Sequence, residues 1–287
     1  MKTRSSPKYT MVFDTETTGL PLKKTELNAM EEFNDEMEEK RTGLTISREL
    51  KSIYDFRIPE KYPIHYNNIY CTDKQPYMTQ LSFVILDDKY NIVFYYDEFL
   101  KIPENVEISA FVTNLTGITK EKCNNGVEPI EALKIFVTWF LKCEKIVAHN
   151  IQFDRTIVRI EITRHKKELS KDFPYINVVF SMPYDCITKL DHFDTMIRGI
   201  KICGIMVPKV SGEGKKLKMP KLVEMYKIFF HETPKNLHNS MVDVLVTMRC
   251  YLKLIGEHRD IDDRYFDGLI QNALDKKDIK GHLVEYV

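Results

Sequence analysis

Short apolar runs, cut by polar stretches at regular intervals, set the first picture of this chain. Tyr9-Thr10-Met11-Val12-Phe13 has the length of a buried strand and ends on a carboxylate, Asp14. Tyr77–Asp87 and Asn91–Leu100 are rich in β-branched and aromatic residues, and with Asp88-Lys89-Tyr90 between them they predict a β-hairpin. After a polar stretch reaching about residue 127, the spacing of Ile130, Leu133, Ile135, Phe136, Trp139 and Phe140 predicts a helix over 128–142. Lys145–Ala148 and Leu190–Thr195 read as brief strands, and Gln152–Lys167, 220–230 and 239–255 as helices. The last of these is apolar on most of its circumference and is therefore expected to be buried. Strands alternating with helices after a hairpin start predict an α/β fold, a mixed sheet flanked by helices, forming one domain over 1–255 with a helical tail over 256–287.

One stretch breaks the pattern. Residues 22–75 are dense in Glu, Lys and Arg and poor in large apolar side chains, so they read as an insertion after the first strand, partly helical and solvent-facing. Within it, 30–41 reads as a solvated helical face. Pro208–Lys221 is a second polar stretch, predicted as a flexible basic loop that is either simply solvated or a track for a phosphodiester backbone.

Composition narrows the class without naming it. A hydrophobic share of 43% with 29% charged residues is that of a globular protein, and no uninterrupted apolar segment is long enough for a membrane helix. The basic start is followed by no signal-peptide core, so an intracellular site, cytoplasmic or nuclear, is expected. The six cysteines never fall at Cys-x2-Cys spacing, which argues against zinc and for free thiols. Lys+Arg and Asp+Glu are both 42, so net charge provides no bulk attraction to nucleic acid. That balance disfavours a protein coating long duplexes, but not an enzyme holding one strand end.

Three constellations carry chemistry. In Asp14-Thr15-Glu16-Thr17-Thr18-Gly19-Leu20, two carboxylates two apart on a strand share one face and repel unless a proton or a hard cation lies between them. The plain alternative is an exposed turn. In Ala148-His149-Asn150-Ile151-Gln152-Phe153-Asp154, a buried strand gives way to a helix, and Asp154 either serves a site or merely favours the positive helix end, with Asn150 as cap. In His238-x4-Asp243, a histidine able to act as a base near neutral pH precedes a helical carboxylate; alternatively Asp243 pairs with Arg249 or Lys253.

Taken in order, these three blocks resemble the DEDD superfamily of 3'→5' exonucleases in its histidine-containing, DnaQ-like (DEDDh) branch. Leu115-Thr116-Gly117-Ile118-Thr119 and Phe193-Asp194-Thr195 add secondary matches, and the resemblance covers about 9–20 and 77–255. The sister branch has Tyr four residues before the last Asp; Asn239 stands there, and His238 lies five before. The resemblance implies an RNase H-like fold and two divalent ions, Mg2+ or Mn2+. One would be held by Asp14, Glu16 and Asp243, the other by Asp14 and Asp154. His238 would deprotonate the attacking water, and the product would be a nucleoside 5'-monophosphate. The 3' end would be received by backbone around Thr15, Thr17, Thr18 and Gly19, with Leu20 against the terminal base and Asn150 and Phe153 as further substrate contacts. DNA is favoured over RNA as the nucleic-acid partner, in repair, proofreading or degradation. An exoribonuclease, a non-catalytic binder, or a proofreading subunit docked to a polymerase or repair partner through 22–75 or the tail stand as alternatives; no membrane partner is expected.

Overall fold

The structure, a computed structural model, describes residues 8–30, 69–210, 212–256 and 262–280. Most of the expected insertion (31–68) and parts of the expected tail lie outside the described residues. In chain order the elements are strand β1 (Tyr9–Thr17), helix α1 (Lys24–Asn28), strands β2 (Met78–Leu86) and β3 (Ile92–Phe99), and helices α2 (Ala110–Thr116), α3 (Lys120–Asn124) and α4 (Pro129–Phe140). Strand β4 (Cys143–Ala148), helices α5 (Ile151–Arg164), α6 (Lys166–Asp172) and α7 (Met182–Thr188), strand β5 (Asp191–Asp194) and helix α8 (Thr195–Cys203) follow. A small ribbon, β6 (Met206–Pro208) with β7 (Lys215–Leu217), precedes helices α9 (Leu222–Phe230), α10 (Ser240–Leu254) and α11 (Asp263–Leu274).

The sheet order is β3-β2-β1-β4-β5, with β1, β2 and β3 antiparallel and β4 and β5 running parallel to β1. This is the predicted mixed α/β sheet, with the RNase H-like arrangement. Alternation along β1 distributes its side chains between two cores: Met11 and Phe13 join one, and Val12 the other. The first core is filled by α4 and α5, with Phe13 and Phe136 centroids 5.7 Å apart and Phe140 and Phe180 at 5.0 Å. The second is built on α10, whose residues from Ser240 to Leu252 are almost all buried, as its apolar circumference predicts. On the outside of α10, Phe266, Leu269, Ile270 and Ala273 of α11 close that core, so the described part of the tail is packed.

Four expectations need correction. β1 runs on to Thr17, so Asp14 and Glu16 lie inside the strand and not at its end. The helix predicted over Gln152–Lys167 breaks at His165 into α5 and α6. The polar stretch before 127, for which no helix is predicted, contains α2 and α3, too short to show periodicity but capped by the Ser109 and Thr119 hydroxyls, which accept from the amides of Val112 and Lys122. The basic loop is a two-stranded ribbon, paired Met206↔Leu217, Val207↔Lys216 and Pro208↔Lys215.

The segment from Thr72 to Tyr77 is fixed to the start of the site. Arg164 donates to the carbonyls of Thr72, Gln75 and Pro76, and its guanidinium lies 3.7 Å from the Tyr77 ring centroid. Tyr77 in turn exchanges hydrogen bonds with Thr18: the Thr18 amide donates to Tyr77 O at 2.9 Å, and the Tyr77 amide to Thr18 Oγ1 at 3.0 Å.

Candidate active site

Asp14 and Glu16 share the face of β1 that Val12 presents to α10. The start of α10 is tied there by the Ser240 hydroxyl, which donates to the main-chain oxygen of Asp14 at 3.0 Å, and by Asn239, whose side chain caps the helix at Val242 N. Asp243, in the first turn of α10, is thereby aimed back at the strand. One carboxylate oxygen from each of Asp14, Glu16 and Asp243 lies within 4.8 Å of the others. The alternative pairing of Asp243 with Arg249 is not made; Arg249 is bonded to Asp263 and Tyr226.

Asp154 reaches the site from the other side of the sheet. β4 accompanies β1 only as far as Val12↔Val147, and β1 continues beyond it. In that open position Thr15 donates both its amide and its hydroxyl to Asp154 Oδ1, each at 2.9 Å. Thr15 is buried and both its donors are committed, so it positions Asp154 and is not the outward strand-end contact expected of it. The Thr17 hydroxyl closes on Gly19 O and Thr18 is held by Tyr77, whereas Leu20 stands 77% exposed. Phe153 is half-buried against the first core, and Asn150 is exposed.

Asn150 does not cap α5 with its side chain. It takes a left-handed backbone conformation (φ 69°), which asparagine tolerates, and its amide and that of Ile151 are received by the Asp194 carboxylate at 3.1 and 3.2 Å. The same carboxylate caps α8 through the amides of Met196 and Ile197. Asp194 thus fixes two helix starts, one of which carries Asp154. An Asp immediately before a helix is a cap signal legible in sequence; its second duty, to a turn more than forty residues away, is not. Replacing Asp194 by Ala is expected to destabilise the fold by about 2–3 kcal/mol, since four amides, that of Ile151 fully buried, lose their acceptor; urea unfolding measures it. His149 bridges the Thr195 hydroxyl (2.9 Å) and the Pro220 carbonyl (3.1 Å), and burial pushes its pKa down to about 4, so it is neutral.

His238 is exposed on the loop before α10, at φ 69°, and its amide donates to Asp243 Oδ2 at 3.2 Å. The loop is therefore anchored to the carboxylate cluster at its backbone.

The electrostatics of the cluster are those of crowded anions. Burial, ahead of any hydrogen bond, raises the Asp14 carboxyl to about 7. Burial and then the charges of Asp14, Asp243 and Asp154 raise Glu16 to about 10. Asp154 and Asp243 are also raised, by burial first and the Asp14 charge second. Asp14 Oδ2 and Asp243 Oδ1 are buried without any hydrogen-bond partner, although buried carboxylate oxygens are normally satisfied. Three hard oxygen donors, two of them with an unpartnered buried atom, suit a divalent cation, which would supply the missing partner and relieve the repulsion.

Fold and cluster together define an RNase H-like acidic site of the kind that acts on phosphodiesters. The sequence model of the exonuclease family of RNase T type matches residues 68–251, which include Asp154, His238 and Asp243; Asp14 and Glu16 precede the match and enter the same site through β1. The chain belongs to this exonuclease family, in its DnaQ-like 3'→5' class. Among solved structures it is similar to E. coli exonuclease I in complex with a dT13 oligonucleotide (14% identity, TM-score 0.51, covering 92% of this chain and 44% of that one). It is similar also to the same enzyme with a dA16 oligonucleotide (15%, TM-score 0.52, 92% and 43%). A further exonuclease I structure, described as suggesting how processivity is achieved, gives 15% identity and a TM-score of 0.50 over 92% of this chain and 44% of that one. The chain thus spans under half the length of these exonucleases, and the likeness is one of fold. Comparison with the curated proteins finds no match. No helix among the described residues is long and apolar enough to cross a membrane.

Proposed function

We propose that this protein removes nucleoside 5'-monophosphates from the 3' end of DNA, using two divalent ions, Mg2+ or Mn2+, with Asp14, Glu16, Asp154, Asp243 and His238 as its active residues. The convergence of Asp14, Glu16 and Asp243 with buried, unpartnered oxygens carries this reading, because a binding module has no use for such a costly arrangement. Asp14, Glu16 and Asp243 would hold one ion, and Asp14 with Asp154 the second. Bound there, the ions would acidify a water molecule and offset charge on the phosphate.

The residues of the chain account for the rest. His238, next to the cluster and accessible, accepts the proton of the attacking water as its oxygen bonds to phosphorus. The bond from phosphorus to the 3' oxygen of the preceding nucleotide breaks, and that oxygen takes a proton from solvent to become the new 3' hydroxyl of the shortened strand. Thr15 keeps Asp154 from turning away, and Ser240 keeps α10 registered on β1. Leu20, exposed beyond β1, packs on the terminal base, and Gly19, with open space where a Cβ would stand, lets the strand end approach the backbone. Repair, proofreading or degradation of DNA are the settings in which such an activity serves. Support for DNA comes from the oligodeoxynucleotides held by the exonuclease I structures.

His238→Ala is expected to lower kcat by about 10²–10⁴-fold, the usual scale for a general base, with unchanged thermal stability because the side chain is exposed. Competition between matched DNA and RNA oligomers tests the sugar: faster loss of the DNA supports the proposal, and preferential loss of the RNA would reassign the enzyme as an exoribonuclease.

A further inference from the structure

We infer that the β6–β7 ribbon is a second nucleic-acid contact, holding phosphates of the strand inward from the 3' end that the carboxylates receive; this rests on the exonuclease reading above. The whole chain is electrically neutral, yet residues 205–221 carry Lys209, Lys215, Lys216, Lys218 and Lys221 against a single carboxylate, Glu213. Local charge of this kind attracts a polyanion even when the whole molecule does not.

The ladder shows how the lysines are displayed. Val207 faces Lys216 and Pro208 faces Lys215, and the Lys209 amide donates to Gly214 O at 3.1 Å, continuing the pairing one step. Cross-strand partners share a face and neighbours alternate, so Lys209 and Lys216 project together and Lys215 projects opposite, beside Met206 and Leu217. Lys218 is neutralised by Glu224 at 2.5 Å. Lys209, Lys215 and Lys216 are exposed, and none of them has a carboxylate partner among the described residues. Met206, Leu217 and Met219 are also exposed, which places aliphatic surface among the cations, a mixture suited to the sugars and bases of a strand whose phosphates the lysines meet.

The foot of the ribbon is rooted in the active-site scaffold. Pro220, just past β7, is buried, and its carbonyl takes the hydrogen bond from His149, five residues before Asp154. On the other side of the foot, Gly199 of α8 is packed so closely that a Cβ there would stand 2.1 Å from Met225 Cε and 3.4 Å from Pro220 Cγ. The ribbon is therefore fixed to the turn that opens α5. A strand whose end is bound at the carboxylates would meet this cationic surface where the ribbon rises from the turn that leads to Asp154.

The test separates the ribbon from the chemistry by substrate length. Wild type and the triple variant Lys209→Ala/Lys215→Ala/Lys216→Ala are compared, with Mg2+, on the p-nitrophenyl ester of thymidine 5'-monophosphate, which fills only the cleavage site. Both are then compared on an end-labelled DNA strand of about 30 nucleotides, between about 50 and 200 mM salt. The expected result is an unchanged rate on the ester, KM on the long strand raised about tenfold at the higher salt, and a salt slope shallower by about 0.7 for each lost phosphate contact. Normal ester hydrolysis with the same long-strand KM and salt slope as wild type would overturn the ribbon's role alone. Failure of the wild type on both substrates would instead remove the exonuclease reading on which it rests.

Discussion

Asp14→Asn should make the protein inactive and, without metal, more stable. Hydrolysis is expected to fall by on the order of 10³-fold or more, the scale on which loss of a preorganised charge-stabilising group is felt. The metal-free variant should be more stable than the wild type at pH 8, because a carboxylate whose ionisation burial opposes, and whose charge in turn raises Glu16, is replaced by a neutral amide of the same shape. The opposite signs are the point. A residue needed only for packing would lose activity and stability together, whereas a metal ligand loses activity while relieving the apo-protein. Adding Mg2+ should then raise the unfolding midpoint of the wild type and leave the variant unmoved, since a ligand stabilises only the state it binds. Urea unfolding with and without Mg2+ gives all four numbers. A variant less stable than wild type in the absence of metal would contradict this account of the cluster.

The second large effect is on pH. Ordinary values of 3.8 for Asp14 and 4.5 for Glu16 are raised in the folded chain to about 7 and about 10. Between the ordinary and the raised values the folded protein binds more protons than the unfolded chain, so stability falls as pH rises. The contribution of these two groups is fully present below about pH 4 and is lost progressively as pH passes about 7 and then about 10. Metal-free protein is therefore expected to unfold at lower urea at pH 9 than at pH 5. Saturating Mg2+ should remove most of that decline, because binding requires ionised ligands and expels their protons. Metal affinity must accordingly rise with pH, and activity at limiting Mg2+ must fall in acid. An unfolding midpoint flat from pH 5 to pH 9 without metal would mean that the carboxylates are not held as neutral acids.

How much of this was legible in the sequence depends on whether burial imposed a pattern. The sheet and its main helices were, because Met11, Val12 and Phe13 alternate between two cores and α10 is enclosed on nearly every side. The three motifs were also legible as residues, and the fold places one carboxylate oxygen from each of Asp14, Glu16 and Asp243 within 4.8 Å of the others. The role of Thr15 was not, since it follows from β1 outrunning β4, a matter of register between strands more than a hundred residues apart. The shared capping of two helices by Asp194 likewise depends on β4 and β5 ending side by side, at Ala148↔Asp194. The β6–β7 ribbon left no trace because its side chains are mostly exposed and no hydrophobic face forces an alternation. α2 and α3 announce themselves only by their caps.

Digestion of DNA oligomers labelled at one end or the other, with Mg2+, with EDTA, and with the Asp14→Asn protein, tests the central claim most directly. The account predicts a ladder shortening stepwise from the 3' end, nucleoside 5'-monophosphates as product, and neither in EDTA nor with the variant. Loss from the 5' end, internal cuts, or undiminished cleavage by Asp14→Asn would contradict it.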